Sequence, residues 1–448
     1  MSRTPSNKLE SRSSSNPMGS SGAPSTSLTL AETAWSGIRT LVGESRLRSA
    51  VSGDAIDGVL PENIAEPASA SELAAVLKIA SEADLRGIPR GSGSKLGWGN
   101  PPRAAHLVLS IGRLNRVLEH AWGDMTCTVE AGCTVADLQR TLAEHGQRLA
   151  LDPLWPERAT IGGILATNDS GALRTRFGSL RDLIIGITLA LPDGTLAKSG
   201  GKVVKNVAGY DLAKLATGSL GTLGVITQAI FRLYPVPACM RSLTISTKDT
   251  RAMQSALHAI LDSQLAPSSV QIRAATSSSP SVDLLFEGTS TGCDAQAGQV
   301  ARIGAPFSVT EADGSIWRER EPLFAKSPNT AVCKVSLLPA DFALFLDYLE
   351  RISESLQFSW KLIAQAVGVG LLRLECGSLD SLRQATLGLR AHLESSEGSL
   401  VILDCPLELK NNLDAWGSPG DALTLMKSVK AQFDPAGILN PGRFVGAI

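Results

Sequence analysis

The sequence predicts an α+β chain in two parts, and three observations carry that reading. Strand-like runs alternate with amphipathic helical segments along the chain. A Pro235-Val236-Pro237 break separates two such series. Glycine-rich loops cluster in the first part, and the 448 residues suffice for two cores.

In chain order, residues 1 to about 30 are rich in Ser and Pro, and disorder is expected there. The disordered extension as a whole is set at residues 1–50. Ser69 to Arg86 reads as a helix: Ser69 and Glu72 have capping-box spacing, and Leu73, Val76, Leu77 and Ala80 share one face. Gly87 is its expected C-cap. Thr126–Ala131 is a strand, and Thr134 caps a helix to His145 with Val135, Leu138 and Leu142 inward. Ile184–Leu191 is a strand that turns at Pro192-Asp193-Gly194. Val225–Tyr234 alternates with period two up to the proline break. Beyond the break, strands are expected at 241–247, 270–275, 282–287, 331–337, 361–366, 369–375 and 400–404. Helices are expected at 252–265, 294–303, 340–353, 379–393 and 422–432. That order suits an antiparallel sheet with helices on one side.

The most telling stretch is Pro89-Arg90-Gly91-Ser92-Gly93-Ser94-Lys95-Leu96-Gly97-Trp98-Gly99-Asn100-Pro101-Pro102. Its four glycines let the backbone turn through positive φ and aim N–H groups at an anion. Ser92, Ser94 and Lys95 add donors, so the loop suits a pyrophosphate and points to a nucleotide cofactor. The Gly91-x-Gly93-x-x-x-Gly97 spacing is one residue longer than the dinucleotide fingerprint, and a strand-like run follows rather than a helix. Gly200-Gly201-Lys202 is no Walker loop either, because Leu196 and Val203 stand where Gly and Ser/Thr are required. A surface turn is the plain alternative.

A second small-residue segment is Thr160-Ile161-Gly162-Gly163-Ile164-Leu165-Ala166-Thr167-Asn168-Asp169-Ser170-Gly171. Gly and Ala let a flat ring approach the backbone, and a packing seam is the alternative. A third runs Gly201 to Leu212, followed by Gly218-Ser219-Leu220-Gly221-Thr222-Leu223-Gly224. Lys202 and Lys205 would offset a negative cofactor, while Tyr210 and Asp211 are expected to form a buried hydrogen-bonded pair. Arg174, Arg176 and Arg181 suggest a carboxylate grip or a basic surface strip. Trp98 and Trp155 suit a ring edge or the core.

A net charge of −1 gives no global field for nucleic acid or an anionic membrane. The seven cysteines lack C-x-x-C pairs, which argues for reduced thiols in the cytoplasm and against an iron–sulfur cluster or structural zinc. No run of 18 apolar residues spans a membrane, and no signal-peptide stretch is seen.

Together these segments resemble the FAD-binding domain of the vanillyl-alcohol oxidase family, the PCMH-type FAD fold. Lys205-Asn206-Val207-Ala208-Gly209-Tyr210-Asp211 with Gly218 to Gly224 is similar to the accessory FAD-binding subunit of bacterial glycolate oxidases. The main catalytic subunits there carry an acid at the position of Leu220. The resemblance implies a two-subdomain FAD-binding domain at 51–237 and a cap at 238–430. A closing segment at 431–448 would return to the flavin. It implies FAD contacts from Arg90, Gly91, Ser92, Gly93, Ser94, Lys95 and Leu96 at the pyrophosphate. Thr160, Ile161, Gly162, Gly163 and Ala166 would line the ring system. Ser170, Gly171 and Gly178 would extend that wall, Val225 and Ile226 would meet the adenine, and Asn440 and Arg443 would approach from the tail.

Covalent members of the family place a histidine in the first glycine loop. This chain has none there, so non-covalent FAD is expected. Catalytic 2-hydroxy-acid dehydrogenases of the family commonly carry His-x-His beside an acid in the cap. The five histidines here (106, 120, 145, 258 and 392) form no such motif, so the usual base and metal site are expected to be absent, which favours an electron-relay or structural flavin subunit over an autonomous dehydrogenase. The resemblance therefore implies a flavin subunit of a glycolate dehydrogenase complex that oxidises glycolate to glyoxylate. Its partners would be a catalytic flavin subunit and an iron–sulfur subunit, and any membrane association would run through a partner. A self-sufficient D-lactate-type enzyme and a flavin-free scaffold are the alternatives.

Overall fold

A computed structural model describes residues 30–202 and 210–448. Lys205 and the Asn206-Val207-Ala208-Gly209 run, like the first 29 residues, lie outside this range.

Besides a two-stranded ribbon of Gln147–Arg148 with Tyr234–Pro235, the N-terminal part holds two main sheets over a shared core. The smaller has four strands in the order Leu47–Ser49, Asn63–Ala65, Leu107–Ser110, Gly87–Arg90. Its last two pairings are parallel and its first antiparallel. The larger runs Val117–Ala121, Thr126–Glu130, Val225–Arg232, Ile184–Ala190, Leu196–Gly200, all antiparallel. The helices Ala70–Glu82 and Val135–Ala143 bury Leu73, Val76, Leu77, Leu138 and Leu142 into this core. Thr134 caps the second as expected, accepting from the Asp137 N–H.

Residues 30–49 correct the expectation of disorder through residue 50. Leu30–Val42 is a helix that buries Ala34, Ile38 and Val42 in the same core, and Leu47–Ser49 pairs with Asn63–Ala65. The apolar residues recur every four positions, one helical face, which average composition hides. The first helix of the pair above also ends earlier than expected. It stops at Glu82, Asp84 turns through φ 56°, and the Leu85 N–H bonds the Ala80 carbonyl. Gly87 instead opens the strand Gly87–Arg90.

The C-terminal part is an eight-stranded antiparallel sheet. Its order is Ser308–Ala312, Cys239–Ser246, Ser281–Gly288, Ser269–Ala275, Phe358–Gln365, Val369–Cys376, Thr330–Ser336, Ser399–Asp404. Strand alternation gives it two apolar faces. Leu362, Ala364, Cys333 and Val335 pack under the helices Thr250–Leu261, Phe342–Leu356 and Leu379–Glu394. Ile363, Leu371 and Leu403 face the other way and meet Trp98 and Leu154 of the N-terminal part. This second face is the seam between the two parts.

The tail then crosses back. Helix Leu423–Phe433 leads to Asp434, whose carboxylate accepts from the N–H groups of Ile438 and Leu439. The Asn440 N–H bonds the Gly87 carbonyl, so the tail lies along the edge of the four-stranded sheet. Lys430 fastens it by donating to the Thr222 and Leu439 carbonyls and to Asp434.

Candidate functional site

A groove opens where the strand Gly87–Arg90 ends. Its wall is the loop Arg90 to Leu96, with Thr160, Gly163 and Ala166 of the short helix Ile161–Thr167 opposite, and Asn440 and Arg443 at the mouth. It continues past Gly162, Leu220 and Gly221 to Val225 and Ile226. The fit is close at Gly91, where a Cβ would stand 2.2 Å from Thr160 Oγ1. The Thr160 hydroxyl already caps its helix by accepting from the Gly163 N–H. Among the described residues, the N–H groups of Gly91, Ser92, Gly93 and Lys95 donate to no protein acceptor. Gly93 adopts φ 81° to aim them. Together they form a nest suited to phosphate oxygens.

Arg443 is buried beside this loop. It donates to the carbonyls of Leu96 and Trp98 and to Asn440 Oδ1. Burial pulls its guanidinium down to about 10, and among the described residues it forms no ion pair. Asn440 holds the far wall by donating to the Leu220 carbonyl at 2.6 Å. Leu220 takes φ 53° there, and its own N–H bonds the Ala166 carbonyl. The donor set, the free N–H nest and the glycine cradle all fit a dinucleotide.

A second, smaller cavity lies across the same wall, at the seam with the eight-stranded sheet. Asn168, Asp169, Ser170, Arg174, Lys334 and Gln365 are among its lining residues. The two spaces share structure: Lys95 of the groove forms a buried ion pair with Asp169 at 3.1 Å, and Arg443 braces both Leu96 and Trp98. Asp169 also accepts from the Leu154 N–H. Arg320 reaches Asp152, which accepts the N–H groups of Ala172 and Leu173 and whose carboxyl is raised by burial.

The sequence-named positions divide accordingly. Arg90, Gly91, Ser92, Gly93, Ser94, Lys95, Leu96, Thr160, Gly162, Gly163, Ala166, Val225, Ile226, Asn440 and Arg443 line the groove. Ser170 lines the second cavity instead. Ile161 points into the core. Gly171 leaves room for Asp152 and Arg320, which a Cβ would meet at 2.2 and 2.3 Å. Gly178 closes a helical turn at φ 81° against Asp182.

Several side chains depart from expectation. Tyr210 is 92% exposed, and Asp211 caps the helix Leu212–Ala216 by accepting from the Lys214 N–H, so they are no buried pair. The cap satisfies Asp211 locally and leaves the phenol nothing to bind. Lys202 pairs with Glu119 at the surface. Of the three arginines, Arg174 enters the second cavity, Arg181 donates to the Thr217 carbonyl and Arg176 is exposed beside Phe177. Trp98 and Trp155 pack on Phe324 at the seam, with Lys95 Nζ 5.8 and 5.4 Å from their rings. Lys334 and Gln365 escaped sequence reading. Only the face of the folded sheet on which they stand marks them out.

Comparison with known proteins agrees with this architecture. Residues 61–200 match the FAD binding domain family and residues 417–444 match the C-terminal domain of FAD linked oxidases. The chain is 31% identical over 422 residues to glycolate oxidase subunit GlcD of Bacillus subtilis, covering 86% of this chain and 89% of that one. It is 33% identical over 199 residues to D-lactate dehydrogenase of Archaeoglobus fulgidus, 44% of each chain. The crystal structure of p-cresol methylhydroxylase with substrate bound superposes with a TM-score of 0.74 at 14% identity, over 94% of this chain and 97% of that one. The chain therefore belongs to the PCMH-type FAD-linked oxidases, and FAD is its cofactor.

Proposed function

We propose that this protein is an FAD-dependent subunit that oxidises a small 2-hydroxy acid, glycolate foremost, to the corresponding 2-oxo acid. In this reading it works within a dehydrogenase complex and hands electrons to a partner iron–sulfur subunit. The glycolate oxidase subunit and D-lactate dehydrogenase relatives support the hydroxy-acid chemistry. The carrying observation is the second cavity. Two cations, Arg174 and Lys334, line a space that shares a wall with the groove, and among the described residues neither side chain makes a hydrogen bond or ion pair. Unpaired cations at a buried seam suit an anionic substrate.

The roles then follow from position. The N–H nest of Gly91 to Lys95 would hold the pyrophosphate, and Val225 and Ile226 the adenine end. Asn440 and Arg443 would fix the mouth. Neither histidine nor cysteine lines the groove, which supports FAD held without a covalent bond. Bound FAD supplies a two-electron acceptor for hydride. Arg174 would grip the substrate carboxylate with a fork of N–H donors and thereby orient the carbinol carbon. Asp169 would keep Lys95 charged and in place between the two spaces. Packing of Ile363 and Leu371 against Trp98 excludes water from the seam.

A relay subunit without its own turnover is the second reading. None of the five histidines, all described, lines either space. The visible spectrum of the purified chain separates the two. Flavin bands that move to the supernatant on acid precipitation and bleach on anaerobic addition of glycolate are the expected result. Bands that persist with glycolate, D-lactate and longer 2-hydroxy acids alike would assign oxidation to the partner subunit.

A further inference from the structure

Lys334 is a half-buried lysine on an otherwise apolar face. It sits in the strand Thr330–Ser336, whose neighbours Cys333 and Val335 point into the core under the helices. Its own face is the apolar one that meets the N-terminal part, opposite Leu371 and Val401 in register. An amine there costs desolvation that no partner offsets. The lining carboxylate, Asp169, is already engaged by Lys95 and the Leu154 N–H, and Asp152, outside the lining, by Arg320 and two N–H groups. The remaining charges facing the amine, Arg174, Arg181 and Arg320, are all positive. Burial first, then Arg174, lower the pKa of Lys334; Asp169 opposes them, and Arg181 adds a smaller lowering. Around it stand buried polar atoms with no partner: Asn168 Oδ1, Ser170 Oγ, Gln365 Oε1 and Arg320 Nε. That is a small polar space, about 20 Å³ as it stands, built around a free amine.

We propose that Lys334 is the base of the reaction, its neutral amine taking the hydroxyl proton of a 2-hydroxy acid whose carboxylate is held by Arg174. This rests on the hydroxy-acid reading above. The O–H bond breaks and its proton passes to Nζ, giving the ammonium. The carbinol C–H pair would leave as hydride, for which FAD held in the neighbouring groove would supply the two-electron acceptor, and the C–O bond would become C=O. Two electrons leave the substrate, and the proton later returns to solvent. The lysine so fills the place left by the missing histidine pair.

The test reads Lys334 directly. The FAD-loaded protein is labelled with trace acetic anhydride across pH 6–11, and peptides are quantified by mass spectrometry. Lys248, whose side chain is 85% exposed, serves as the ordinary lysine. Lys334 is expected to reach half-reactivity at least about one pH unit below Lys248, and oxalate is expected to protect it. Titration together with Lys248, or no labelling at any pH, overturns the proposal. In parallel, Lys334→Met and Lys334→Arg are each expected to slow flavin reduction by about 10²–10⁴-fold. In Lys334→Ala, added ethylamine is expected to restore part of the rate. A Lys334→Arg protein with the wild-type rate shows that charge alone suffices and also overturns the proposal. If no 2-hydroxy acid reduces the wild type, the hydroxy-acid reading fails and takes the base with it. If the wild type is reduced while Lys334 titrates normally, only the base is lost.

Discussion

At the scale of single residues, the groove depends on atoms that are absent. Gly91→Ala would drive a methyl group onto Thr160 Oγ1, 2.2 Å from its ideal position. The loop must then shift away from the nest geometry. We expect that variant to purify with at least about tenfold weaker FAD affinity, the equivalent of 1.4 kcal/mol, read by flavin fluorescence on titration. Asp54 braces the same loop: it accepts from Arg48 at 2.7 and 2.9 Å, from the Val51 N–H and from Arg90 at 3.2 Å. The Arg48 hydrogen bonds hold its carboxyl far below the usual carboxylate range. A depressed folded-state pKa contributes stability that is fully present above the unfolded value and is lost as pH falls toward the folded one. Asp54→Asn should therefore lower the urea midpoint at pH 7, and the gap to wild type should narrow below about pH 4. The glycine loop was legible because its meaning lies in local spacing. Lys334 was not, because a lysine in a β-pattern carries no mark of which face it will take or what it will meet there.

At the scale of elements, the clearest local signals were the caps. Ser69 accepts from the Glu72 N–H, and Glu72 returns to the Ala68 N–H while pairing with Arg46. Ser69→Ala should cost about 1 kcal/mol, measured as a shift in the denaturation midpoint of the N-terminal part without loss of flavin. The end of that helix was less legible. Glycine is the usual stop, but here Asp84 takes the left-handed turn, which a short polar side chain tolerates. The helix Leu30–Val42 was hidden by its neighbours, since the Ser- and Pro-rich composition upstream masked the four-residue spacing of Ala34, Ile38 and Val42. The edge strand Ser308–Ala312 was missed, whereas the other seven of the eight strands beyond residue 237 were read nearly in place because their alternation is local. Their order in the sheet was not, since pairing partners up to a hundred residues apart leave no mark in either strand alone.

At the scale of the molecule, the two parts are joined by buried ion pairs as well as by apolar packing. Arg148 and Glu287 meet at 2.6 and 2.7 Å, with the glutamate side chain 4% exposed. Glu287→Gln leaves a buried guanidinium uncompensated and should cost about 3 kcal/mol. We expect the holoprotein to unfold in one transition and the variant in two, one followed by flavin release and the other by far-UV circular dichroism. A wild-type-like single transition would show that the apolar seam alone couples the parts.

The tail gives the whole a temporal order. Asn440 and Arg443 complete a groove whose first wall was made some 350 residues earlier, at Arg90 to Leu96. A ribosome therefore finishes the floor long before the clasp. A flavin arriving before Asn440 and Arg443 emerge would meet an incomplete seat. Chains interrupted near their end would be folded over most of their length yet colourless, and the yellow of the flavin marks a chain translated to its clasp.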